Sequence, residues 1–218
     1  GAEWIPVAPY LFPNENPTVG VPEALRTVLD SSSGDLAGDH LKLGEYLGAE
    51  DYFLPVTAPA ELVSDIWVPQ VVKEGIQTVL TLPTPRGDLR QVTVYPEGAP
   101  PAVTERFLKT VEDVERLIAW FETLRVVKRP KRLEEVRRVR ERLGDRGVVF
   151  CRIEGTPLGM CYRVYAHLED LIYLLADHPE VVENLFEIME DRYEAHLKVL
   201  LEIAPEIDVF MGMDDTST

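Results

Sequence analysis

Six consecutive residues, Val148-Val149-Phe150-Cys151-Arg152-Ile153, form a β-branched and aromatic run with no polar position before Arg152. A strand covered on one face alternates apolar with polar residues. A run without alternation has to be buried on both faces, which is the condition of a strand inside a parallel sheet flanked by helices. The neighbouring segments fit that frame. Before the run, a strongly charged stretch turns Leu133, Val136, Val139 and Leu143 to one side and ends at Gly144 and Gly147, as an amphipathic helix does. Tyr52-Phe53-Leu54-Pro55-Val56 and Ile207-Asp208-Val209-Phe210-Met211-Gly212 are two further short strands.

Other segments are set by local chemistry. Two alternating runs, 78–82 and 89–95, flank Pro83-Thr84-Pro85-Arg86-Gly87-Asp88, a proline- and glycine-set turn that makes the stretch 77–95 an antiparallel hairpin. Thr110 precedes Val111, Val114, Leu117, Ile118 and Phe121, with Asp113 three residues on, the spacing of a capped amphipathic helix. A helix is expected from about 167 to 175. His178-Pro179-Glu180 then starts a second, in which Val182, Leu185, Phe186, Met189, Tyr193, Leu197, Leu200 and Leu201 keep three-and-four spacing. Nearer the start, Trp4 to Tyr10 is a proline-studded strand, and short helices are expected at 22–29 and 39–47.

Charge and composition exclude several classes. Lys and Arg total 22 against 38 Asp and Glu, so the formal charge of −16 repels phosphate backbones and anionic lipid; nucleic acid and membrane are not expected partners. The cations between Arg125 and Arg146 fall at helical spacing and are read as a solvated face. No apolar run reaches the roughly 18 residues that a spanning helix needs, and the start lacks a secretory signal pattern, which places the expected location in the cytoplasm. Cys151 and Cys161 lack the spacing of a zinc motif and are expected as small buried hydrophobes in a reducing compartment. His40, His167, His178 and His196 are not spaced as metal ligands either; His178 suits a cap and His196 a helix face.

About four strands followed by helix can be counted, where a closed (β/α)8 barrel needs eight such units and roughly 250 residues. The expected fold is therefore α/β, an incomplete TIM-type barrel of about the first half with the hairpin inserted, and residues 1–218 are the N-terminal portion of one barrel domain. The strand at 207–212 would then be a bare apolar edge, covered by more of the same chain or by a second copy in a homodimer.

In such a barrel the active site lies beyond the C-terminal ends of the strands. After 148–153 come Arg152, Glu154, Thr156, Met160, Tyr162, Arg163 and Tyr165; after 207–212 come Asp214 and Asp215. The adjacent aspartates can serve as general base, hold substrate N–H groups, or cap the next helix. Arg152 and Arg163 can grip a substrate carboxylate through paired hydrogen bonds or close ion pairs with Glu154 or Glu169.

Gly155-Thr156-Pro157-Leu158, the stretch through Tyr165, the helix start His178-Pro179-Glu180-Val181-Val182 and the strand end Gly212-Met213-Asp214-Asp215 resemble, in order and spacing, the uroporphyrinogen decarboxylase superfamily. Thr84-Pro85-Arg86-Gly87-Asp88-Leu89-Arg90 resembles the hairpin of its methyltransferase-like branch. The resemblance implies a (β/α)8 barrel acting on tetrapyrrole-related substrates, either moving methyl groups between corrinoids and thiols with zinc, or decarboxylating uroporphyrinogen without a cofactor. Strand-end position gives Asp214 and Asp215 as expected catalytic residues and Arg152, Glu154, Thr156, Met160, Arg163 and Tyr165 as expected substrate-binding ones, and the resemblance adds Tyr162 as catalytic. The match at Tyr162 to the decarboxylases' catalytic tyrosine is off by one position. No cofactor is expected in this segment; zinc would be held by later residues. Pro9-Tyr10-Leu11-Phe12-Pro13 stands where the decarboxylases carry an arginine-rich signature, which favours methyl transfer, with decarboxylation second and non-catalytic tetrapyrrole binding third.

Overall fold

The computed structural model describes Leu41, Lys42, Glu45, residues 52–66 and residues 68–212. The strand expected at 4–10, the helix at 22–29 and the Asp214-Asp215 pair lie outside these residues. Of the helix expected at 39–47, the three described positions are helical. In chain order the elements are β1 (Tyr52–Val56), β2 (Ala60–Val63), β3 (Gln70–Glu74), β4 (Gln77–Leu82), β5 (Leu89–Val94), β6 (Ala102–Glu105), α1 (Val111–Glu122), β7 (Arg125–Lys128), α2 (Pro130–Leu143), β8 (Gly147–Ile153), α3 (Pro157–Met160), a π-helical turn (Cys161–Tyr165), α4 (Leu168–Asp177), α5 (Pro179–Ile203) and β9 (Val209–Gly212). They divide between two compact units. The first gathers Gly1–Pro59, Arg129–Ile153 and Leu200–Met211, and the second gathers Ala60–Lys128, Glu154–Val199 and Gly212–Thr218.

The first unit is built on a three-stranded sheet in the order β1-β8-β9. β8 is central and parallel to β1, with Leu54 opposite Val149, which is the position its unalternating sequence requires. Val149, Phe150 and Cys151 are buried there. α2 opens on Pro130, whose missing N–H costs nothing at a first helical position, and buries Val136, Val139 and Leu143 against Tyr52, Leu54, Val149, Cys151 and Ile207. Gly147 lets the two strands start side by side, because a Cβ at this position would sit 2.0 Å from the Tyr52 carbonyl oxygen. Asp208 then locks the edge next to β8: its carboxylate accepts from the Val149 N–H at 2.8 Å and from Arg140 at 2.9 Å, while its own N–H donates to the Val149 carbonyl.

The second unit carries the antiparallel structure. The expected hairpin is present as β4 and β5, closed by the buried pair Leu82 and Leu89 and tightened by Thr84, whose hydroxyl donates to the Gly87 carbonyl at 2.6 Å. It is not an isolated insertion. β3 and β6 pair on either side and complete a four-stranded antiparallel sheet in the order β3-β4-β5-β6. A separate ribbon joins β2 to β7. That ribbon corrects one sequence expectation, since Arg125 to Lys128 is a strand rather than the start of a helical charged face, and Arg125 pairs with Asp65.

α1 begins as its sequence predicts: Thr110 and Asp113 bond reciprocally to each other's backbone N–H groups. Its inner face, Val114, Leu117, Ile118 and Phe121, packs with Leu82, Leu89, Leu171, Leu174, Val182, Leu185 and Met189 in one core. His178 closes α4, and Pro179 starts α5, in agreement with the sequence reading of that junction.

The class is thus mixed α/β. Among the described residues the three sheets are separate and none closes on itself. No helix among them is long and apolar enough to cross a membrane. Cys151 and Cys161 are both buried and neither is in a disulfide, as expected.

Candidate functional site

Within the second unit, the residues that follow β8 fold back through two unequal turns. Thr156 caps α3 by accepting the Gly159 N–H at 3.1 Å, and Pro157 occupies the first helical position. The chain then widens into the π turn, where the Ala166 N–H reaches back to the Cys161 carbonyl at 2.8 Å. Single π turns recur at functional sites because the extra residue re-aims the side chains around it. Here the turn drives Tyr165 into the core. Its ring meets Phe121 edge-on at 6.0 Å and lies 6.4 Å from Phe107, and its carbonyl accepts the Leu108 N–H.

Glu154, the first residue of this segment, meets His196 on α5. Nδ1 of His196 lies 3.0 Å from Glu154 Oε2, and Nε2 lies 2.8 Å from the carbonyl oxygen of Ala60 on β2. The histidine is 3% exposed and Ala60 is fully buried, whereas the Glu154 side chain keeps 27% of its surface. A carbonyl oxygen cannot donate, so Nε2 carries a hydrogen.

Burial works against ionisation of Glu154, but the His196 N–H, its charge and the residue's own backbone N–H outweigh it and hold the carboxyl below its usual range. Burial likewise works against a charged imidazole. The Glu154 bond and charge, the Ala60 carbonyl and the charge of Glu61 overcome it, so His196 titrates above its usual range. Both shifts favour the charged forms, an imidazolium bonded to a carboxylate.

Two further titratable groups feel the Glu154 charge, and a third, Cys161, acts on both of them. Burial pushes the Cys161 thiol up to about 12. It also raises Tyr165 and Tyr193, to which the neighbouring Glu154 carboxylate adds. All three are neutral at ordinary pH. Tyr193 stacks edge-on against Phe121 at 6.2 Å. The hydroxyl of Tyr162 is buried and has no hydrogen-bond partner among the described residues, whereas the Tyr193 hydroxyl faces that of Tyr165.

The sequence-predicted residues separate on this geometry. Glu154 meets His196, and Tyr165 lies within reach of the Glu154 charge. Thr156 is committed to a helix cap, and Met160 packs on the hydrophobic core. Tyr162 and Arg163 are half-buried on the π turn; Arg152 belongs to the first unit and is exposed. Asp214 and Asp215 lie outside the described residues. His196 corrects the expectation of a plain helix-face residue, because it points into the core. The signal was in the spacing: it falls three residues after Tyr193 and four before Leu200, within the apolar stripe of α5.

A pocket of about 310 Å³ over the start of α1, lined by Lys109, Thr110, Glu112, Asp170, Tyr173 and His178 among others, contains none of the predicted site residues. Among the described residues no three His, Cys, Asp or Glu side chains gather as a metal site. No family model matches the chain, and no curated protein or solved structure gives a significant match to it.

Proposed function

We propose that the chain is part of an enzyme of the uroporphyrinogen-decarboxylase-like kind, a partial (β/α)8 barrel of the methyltransferase-like branch, and that it acts on a tetrapyrrole-related substrate in corrinoid-to-thiol methyl transfer. The observation that carries the reading is the Glu154 carboxylate, partly open and held by His196, at the head of the Gly155-Thr156-Pro157-Leu158 segment on which the resemblance rests. The parallel β1–β8 pair, with β9 beside β8, supports the α/β part of the reading. Cytoplasmic location belongs to the same proposal.

Charge separates the two chemistries of the resemblance. A corrinoid carries amide side chains, whose N–H groups are donors for a fixed carboxylate. Uroporphyrinogen carries eight carboxylates, which a chain of formal charge −16 repels unless arginines gather for them. In methyl transfer the cobalt–carbon bond breaks with its electron pair left on cobalt, and a thiolate sulfur forms the new bond to carbon. Zinc would serve by activating that thiol. The described residues do not fit it, with both cysteines buried and no three ligands together, so the role assigned to this chain is to bind and orient the corrinoid through Glu154.

Decarboxylation remains the second reading, and the buried, unpartnered Tyr162 hydroxyl favours it, since such a group suits a proton donor or acceptor to substrate. Incubation of the protein with methylcobalamin and a thiol, followed by visible absorbance, tests the first reading. A saturable shift of the methylcobalamin spectrum, the mark of corrinoid binding, is the expected result. An unshifted spectrum combined with carbon dioxide release from uroporphyrinogen would replace it with the second.

A further inference from the structure

A buried ion pair adds little to stability relative to well-packed apolar side chains, so its presence calls for a use. The pair formed by Glu154 and His196 is anchored at the ring and open to solvent at the carboxylate. Ala60 fixes the imidazole through a backbone carbonyl, the imidazole fixes one carboxylate oxygen, and the carboxylate alone reaches solvent. This is the order of parts by which a second residue orients a working one: a backbone acceptor sets the ring, and the ring sets the group beyond it.

We infer that His196 is a positioning residue which fixes the Glu154 carboxylate as an acceptor for N–H donors of the substrate. The inference rests on the tetrapyrrole reading and names the atoms that would serve it: the amide N–H groups of a corrinoid.

Two protonation states satisfy both contacts of the ring, an imidazolium on a carboxylate or a neutral imidazole on a carboxylic acid. The surroundings favour the first. Glu61 on β2 favours a positive ring, and Glu154 itself does so most directly. The other titratable groups near the pair, Cys161 and Tyr165 on the π turn and Tyr193 on α5, are neutral. In that state both ring hydrogens are spent on Glu154 and Ala60. His196 therefore has no proton left for substrate, and its effect passes through Glu154 alone.

The test combines a substrate-free and a substrate-bound measurement on the full chain. In His196→Gln, which keeps a donor but loses the charge, the Glu154 carboxyl followed by carbon-13 NMR should titrate closer to the ordinary value of about 4 than it does in the wild type. Hydroxocobalamin binding should weaken about tenfold, the loss expected for a misplaced charged acceptor, and the acid limb of its pH profile should move up with the carboxyl. An unchanged carboxyl midpoint and an unchanged acid limb would overturn the inference, since a space-filling histidine predicts both.

If His196→Gln fails to fold, the wild type still decides. Nitrogen-15 shifts should report both ring nitrogens of His196 protonated at about pH 6, and a bare Nδ1 there would overturn the inference. Should the carboxyl midpoint move while even the wild type leaves hydroxocobalamin free, the corrinoid reading fails and with it the acceptor role, but the hold of His196 on Glu154 stands.

Discussion

His196 Nδ1 lies 3.0 Å from Glu154 Oε2, and the opposite ring nitrogen lies 2.8 Å from the Ala60 carbonyl oxygen, so one side chain on α5 ties the segment after β8 to the β2 strand. Removing the ring leaves a half-buried carboxylate and a buried carbonyl without their donor. Breaking a buried pair from one side typically costs 3–5 kcal/mol; because Glu154 reaches solvent, His196→Leu is expected at the low end, about 3 kcal/mol. Urea unfolding followed by tryptophan fluorescence measures it. The double change with Glu154→Leu should recover part of the loss, because no stranded charge remains.

The same pair sets a pH window. The His196 pKa is raised on folding, so its contribution is complete below the unfolded value of about 6.5 and is lost as pH rises through the higher folded value. The Glu154 pKa is lowered, so its contribution is complete above the unfolded value of about 4.5 and is lost as pH falls through the lower folded value. The stability difference between wild type and His196→Gln is therefore expected to be flat from about pH 4.5 to about pH 6.5 and to shrink on both sides, at up to about 1.4 kcal/mol per pH unit. Unfolding midpoints across that range check it. A difference that grows above neutral pH would contradict the ion pair.

Thr110 and Asp113 cap α1, but they are unequal. Thr110 supplies one acceptor, and Thr110→Ala should cost about 1 kcal/mol. Asp113 is buried, accepts from the N–H groups of Lys109 and Thr110, and pairs with Arg116 at 2.7 Å. Asp113→Ala should cost about 2 kcal/mol or more, because donors are left unpaired. The ranking, read from thermal midpoints, is the prediction; equal losses would contradict it.

Gly147 is the tightest point of the first unit. An added Cβ would sit 2.0 Å from the Tyr52 carbonyl oxygen and 2.7 Å from the Tyr52 nitrogen, and backbone atoms have no flexible end to move away. Gly147→Ala has to part β1 from β8 at their start and is expected to cost more than about 4 kcal/mol, measurable as loss of a cooperative transition. A wild-type midpoint would mean that the two strands do not run as close as Tyr52 opposite Gly147.

What the sequence disclosed was local or strongly periodic. The capping box at Thr110, the turn of the 77–95 hairpin, the buried centre of the 148–153 run at Val149, Phe150 and Cys151, and the long stripe of α5 each depend on residues a few positions apart, and each is present. The strands that escaped notice lacked such a signal. β3 is exposed at every position and so has no burial pattern to read; β2 and β7 are four residues each, and their pairing joins Ala60 to Lys128, the two ends of the second unit's first segment. In the site, Glu154 was legible from its place after a buried strand. Its partner was not, because a histidine inside an apolar stripe carries no sign of which carboxylate, 42 residues away, will meet it.

The most direct measurement is an equilibrium titration of the full chain with hydroxocobalamin, read by visible absorbance, for the wild type and Glu154→Gln side by side. The account predicts a saturable spectral change in the wild type and binding weakened about tenfold in the variant, since the amide keeps the shape of the carboxylate but not its charge. No spectral change in the wild type, or equal affinity in both, would contradict it.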